Sequence, residues 1–80
     1  MNMIKIVKAE PKPDSLLRLT FSDGKEGIYD VKPILNFGRF AELKDVALFR
    51  SVRIADATIE WGNGADLCPE SVYEETVFLS

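Results

Sequence analysis

Glu60, Asp66, Glu70, Glu74 and Glu75 crowd the last third of this chain and are its densest store of reactive groups. Paired carboxylates run acid–base chemistry when their surroundings drive their pKa values apart. Nothing in the sequence buries one of these acids and exposes another. Glu70 and Glu74 stand four apart, on one face of a helix, where they repel weakly. The chain has no histidine, which removes the commonest general base, the commonest neutral metal ligand and the usual Ser–His or Cys–His pairing. Asn63, Asp66 and Glu70 could offer oxygens to Ca²⁺ or Mg²⁺, but their spacing is not that of an EF-hand loop. Asp66 is instead expected to accept backbone N–H bonds and fix the turn into a helix. Gly62-x-Gly64 opens like a phosphate loop, yet Leu67 stands where a third glycine belongs and no lysine follows. Cys68 precedes a helix start, a setting that lowers thiol pKa values, but it has no basic neighbour in sequence and is expected as a small, half-buried side chain. The expectation is no catalytic, cofactor-binding or metal-ligating residue and a non-enzymatic role.

Contact is the alternative to chemistry. Residues 54–80 carry six acids and no base, while residues 1–53 carry all ten Lys and Arg with seven acids. An acidic face on a nearly balanced body suits a protein partner with a basic surface. Glu60, Asp66, Glu70, Tyr73 and Glu74 form the expected interaction surface, Tyr73 as a candidate aromatic anchor. Trp61 shares the parity of Ile59 and is expected in the core. A sequence pI near 4.8 argues against nucleic acid as the main partner, since phosphate neutralisation dominates that binding. The nucleic-acid alternative would use Lys5, Lys8, Lys12 and Arg39. The Phe37-Gly38-Arg39-Phe40 stretch interleaves aromatic and basic residues, though loop packing explains it better.

The elements that must position these groups read as follows. Eighty residues make one small domain over 1–80, with a folded surface of roughly 4,900 Å² and a thin core. One cysteine excludes an internal disulfide. No run suits a membrane span or a secretory leader, which makes the cytoplasm the expected compartment. Met3 to Ala9 reads as a strand, ended by Pro11 and Pro13. Ser15 to Phe21 alternates, with Leu17, Leu19 and Phe21 on one side. Ser22-Asp23-Gly24 turns the chain into a third strand, Lys25 to Val31, with Tyr29 and Val31 inward and a bulge at Gly27. Pro33-Ile34-Leu35 starts a short helical turn. Phe37, Phe40 and Leu43 pack onto the sheet, and Asp45 caps a short helix, Val46 to Ser51.

Val52 to Ala55 and Thr58 to Trp61 follow as strands, with Val52, Ile54, Ile59 and Trp61 inward. Asn63-Gly64 is a strong hairpin signal and could return a brief sixth strand, Ala65 to Leu67. Pro69 at the first helical position opens a closing helix whose stripe is Val72, Thr76 and Leu79, flanked by Tyr73 and Val77. The expected fold is α+β: a mainly antiparallel sheet of five or six strands, with a short middle helix and a C-terminal helix on one face. Open sheet edges predict a homodimer.

Four stretches together carry a resemblance: Phe21-Ser22-Asp23-Gly24; Tyr29-Asp30-Val31; Phe49-x-x-Val52; and Ile59-Glu60-Trp61-x-Asn63-Gly64-Ala65-Asp66-Leu67-x-Pro69-Glu70-x-Val72-Tyr73. From about Ile4 to Tyr73 the chain resembles the domain of unknown function family 2442, small bacterial proteins. The resemblance implies a three-strand, helix, two-strand, helix domain. It also implies frequent genomic pairing with a second small family of suspected toxins, occasional fusion to a helix-turn-helix domain, and so an antitoxin-like interaction module. It brings no catalytic residues, and direct transcriptional regulation through a fused DNA-binding segment is not expected.

Overall fold

The computed structural model describes residues 3–79. Strands β1 (Ile6–Lys12), β2 (Leu16–Phe21) and β3 (Glu26–Asp30) form an antiparallel meander. The alternation of β2 is expressed directly: Leu17, Leu19 and Phe21 are buried, and Arg18 is exposed. Gly24, at φ 88, makes the β2–β3 turn, and the Asp23 carboxylate accepts the Lys25 N–H at 3.0 Å. β1 runs through Pro11, which pairs with Leu17, so the proline does not end the strand as expected. It is tolerated because β1 is an edge strand, where a missing N–H can face away from the ladder. The bulge falls at Val7, between Ile6 and Lys8, and not at Gly27. Opposite Leu19, Gly27 keeps the β2–β3 register. Its lack of a side chain serves a close approach instead, since a Cβ there would meet Thr76 Cγ2 and come within 2.8 Å of the Val77 carbonyl oxygen.

Two 3-10 turns follow, Lys32–Ile34 and Gly38–Lys44. With three residues per turn, Phe40 and Leu43 share a side and pack on the core. Phe37 precedes that turn and is exposed, contrary to expectation. Asp45 caps helix α1 (Val46–Phe49), its carboxylate accepting the Ala47 N–H at 3.0 Å. The β4 (Arg53–Ala55) and β5 (Thr58–Glu60) strands form a separate two-stranded hairpin through Asp56 and Ala57, both at positive φ. Ile54 is opposite Ile59, as parity requires, but 38% of it is exposed because it lies beside the turn of a hairpin three residues deep.

Asn63-Gly64 reverses the chain, with Gly64 at φ 87. The return is a single bridge between Glu60 and Asp66, short of the expected strand Ala65 to Leu67. Helix α2 (Pro69–Glu75) opens on its proline and stops at Thr76, so the helical stripe does not reach Leu79. Thr76 Oγ1 donates back to the Val72 carbonyl at 2.6 Å, and Val77–Phe78 become strand β6 on β3. The sheet order is β1-β2-β3-β6. The fold is therefore α+β with an antiparallel sheet, but divided into four strands and two, not one sheet of five or six. Ile6, Leu17, Leu19, Phe21, Tyr29 and Val31 supply the sheet's inner face, and Leu43, Phe49, Ile59, Trp61 and Val72 cover it. The accessible surface is 5084 Å².

Candidate interaction site

The glycine-asparagine segment is consumed by the fold. Trp61 is fully buried and its indole N–H donates to the Phe49 carbonyl at 3.1 Å. The Gly62 N–H donates to Ser51 Oγ at 2.9 Å, so it is not free for phosphate. Asn63 Nδ2 donates to Glu42 Oε1 at 2.8 Å and to the Arg39 carbonyl at 3.2 Å, and Arg39 donates to the Asn63 carbonyl at 2.6 Å. Asn63 Oδ1 accepts the Ala65 N–H, which is the turn-fixing role expected of Asp66. Arg39 is therefore tied to the turn at Asn63 while its side chain stays exposed. Lys12 itself lies 3.4 Å from Glu10.

The acids divide. Glu60 pairs with Arg53 at 2.9 Å, across the β4–β5 hairpin. Asp66, Glu70 and Glu74 are exposed and, among the described residues, take part in no ion pair within 4 Å. Glu70 Oε1 lies 3.6 Å from Cys68 Sγ; the thiol is exposed, not half-buried as expected. No three acidic or cysteine side chains among the described residues come together as a metal ion requires. Tyr73 is half-buried. Its ring stacks edge-on to Phe21 at 4.9 Å and against Phe78 at 4.8 Å, and its hydroxyl donates to Asp23 Oδ2 at 2.6 Å. That bond lowers the Asp23 pKa and raises that of Tyr73. Tyr73 thus anchors α2 onto the β2–β3 turn.

What the fold leaves open lies on the other side of α2. A groove of about 460 Å³ runs between β3, the first 3-10 turn and α2, lined by Tyr29, Asp30, Pro33, Ile34, Leu67, Ser71, Val72 and Glu75. Its lining is mostly apolar, with carboxylates at the rim. Asp30 is compensated: burial pushes its pKa up, but the Lys32 backbone N–H and ammonium, 3.0 Å away, outweigh that and hold it low. Glu75 has no such partner among the described residues. Burial first, then Glu75 and Asp30, push the Tyr29 pKa up, so its hydroxyl stays protonated in the groove. Of the expected surface, none of Glu60, Asp66, Glu70, Tyr73 and Glu74 lines this groove. Ser71 and Glu75, four apart on α2, mark its face; Glu70 and Glu74 point along the neighbouring one. Glu75 was visible as an acid, but its meeting with Tyr29 is made by tertiary packing alone.

No helix among the described residues is long and apolar enough to cross a membrane. A small α+β protein with an acid-rimmed apolar groove is the class that fold and surface define. Residues 6–77 of the 80 match the family described as protein of unknown function (DUF2442), and the chain belongs to it. Searches of the curated proteins and of the solved structures gave no match.

Proposed function

We propose that this chain is a non-catalytic interaction module, the antitoxin-like member of a pair with a small basic protein. The observation that supports it is the groove: an apolar floor from Pro33, Ile34, Leu67 and Val72, with the Glu75 carboxylate, which has no ion-pair partner among the described residues, at its rim. A lysine or arginine side chain has that same division, an apolar stem and a charged head. The partner lays such a side chain along the floor and brings its cation to Glu75, with the Tyr29 hydroxyl within the same groove. Asp66, Glu70 and Glu74 set the field that draws the basic surface in; rim charges of this kind act on association rate and its salt dependence more than on affinity. The partner to test first is the product of the adjacent gene, as the family resemblance implies.

The test is co-expression of a tagged chain with that neighbour. A complex that co-elutes, and that Glu75→Lys abolishes while the variant melts like the parent, supports the proposal. Two independent monodisperse peaks at micromolar concentration contradict it.

A further inference from the structure

A second recess has the opposite character and shares no lining residue with the groove. It holds about 380 Å³ between the β1–β2 turn and the segment around α1, lined by Lys12, Pro13, Asp14, Ser15, Leu43, Lys44, Val46, Phe49 and Arg50. Three cations rim it, and an apolar floor is built from Pro13, Leu43, Val46 and Phe49. Neighbouring carboxylates are engaged elsewhere. Asp14 lies 3.3 Å from the Lys32 ammonium, which also donates to the Asp14 carbonyl at 2.7 Å. Asp45 accepts the Ala47 N–H and Glu42 accepts from Asn63. Lys44 and Arg50 have no ion-pair partner within 4 Å among the described residues, and both are exposed. Two cations without an ion-pair partner among the described residues therefore sit over exposed apolar surface, of which Val46 is 69% accessible.

We infer that this cleft binds a small organic carboxylate with an apolar body. The volume falls in the range of small-molecule sites, roughly 300–1,000 Å³, which combine an apolar lining with a few placed charges. A single negative head answers Lys44 and Arg50, the latter in the two-pronged geometry that guanidinium offers a carboxylate. A hydrocarbon tail of a few carbons covers the exposed Val46 and Pro13. A bare dianion would gain nothing from that floor. Nucleic acid is disfavoured for the same reasons, because the floor offers no exposed ring on which a base could stack: Phe49 is only 4% accessible.

The experiment is an amide-resolved NMR titration of the intact chain with hexanoate, and in parallel with inorganic phosphate, hexylammonium and a short oligothymidylate. Hexanoate is expected to give saturable shifts confined to Asp14, Ser15, Lys44, Val46, Phe49 and Arg50. The double variant Lys44→Glu/Arg50→Glu is expected to weaken binding about tenfold or more while keeping the parent spectrum elsewhere. Both side chains are exposed, so folding does not depend on them. No saturable shift with hexanoate, equal shifts with hexylammonium, or phosphate or oligothymidylate binding as tightly as hexanoate would each overturn the inference. Failure here leaves the proposed groove untouched, since the two sets of reporting residues do not overlap.

Discussion

The turn around Trp61 and Asn63 and the helix that follows it are neighbours in sequence and opposites in bonding. Around Trp61 the polar groups find partners within the fold: the indole with the Phe49 carbonyl, the Asn63 amide with Arg39 and Glu42, and the Gly62 backbone N–H with Ser51. On α2 only the face toward the sheet is engaged, through Val72, Tyr73 and Thr76. Its acids are left over. The difference shows how an 80-residue chain with a thin core divides its labour. The tight turn secures the irregular 36–52 segment, and the helix it positions is freed to present charge.

Breaking the first region should have the largest effect. Trp61→Ala removes the largest fully buried side chain and its hydrogen bond, at about 3–5 kcal/mol. Since a chain this size has only a few kcal/mol in hand, urea melts of the variant should show no cooperative transition. Asn63→Ala loses three side-chain bonds, each of them modest in net worth, and should cost about 1–3 kcal/mol in the same melts. Amide exchange should speed up first around Arg39 and Glu42.

Tyr73→Phe probes the boundary between the two regions. Its bond keeps the Asp23 pKa below the ordinary 3.8, so that contribution is present above 3.8 and is lost as pH falls through the folded value. The Tyr73 pKa is raised above 10.0, so the same bond is lost again as pH rises through that raised value. Between pH 6 and 3 the melting temperature of the parent should fall more steeply than that of the phenylalanine variant. Parallel slopes would mean the bond does not couple α2 to the β2–β3 turn. Smallest of all is Glu75→Lys, which should shift stability by no more than about 0.5 kcal/mol, because that exposed carboxylate has no ion-pair partner among the described residues.

Local periodicity explains what the sequence revealed. Leu17, Leu19 and Phe21 alternate, Asp45 precedes a helix, Asn63-Gly64 turns, and Pro69 starts α2; each is a short-range preference that packing then confirmed. The failures were non-local. Val72, Thr76 and Leu79 mimic a helical stripe, and only the vacant edge of β3 beside Gly27 explains why Val77–Phe78 leave the helix for the sheet. Pro11 reads as a strand breaker unless β1 is known to be an edge. The groove joins Tyr29 and Ile34 to Leu67 and Glu75, residues so far apart in sequence that no spacing rule links them.

The most direct test of contact through the groove is an amide-resolved titration with the peptide acetyl-Leu-Arg-Leu-amide, alongside its Leu-Glu-Leu counterpart. Saturable shifts at Tyr29, Leu67, Ser71, Val72 and Glu75 with the arginine peptide only, abolished in Glu75→Lys, are the predicted result. Equal response to both peptides, or an unchanged response in the variant, would contradict it.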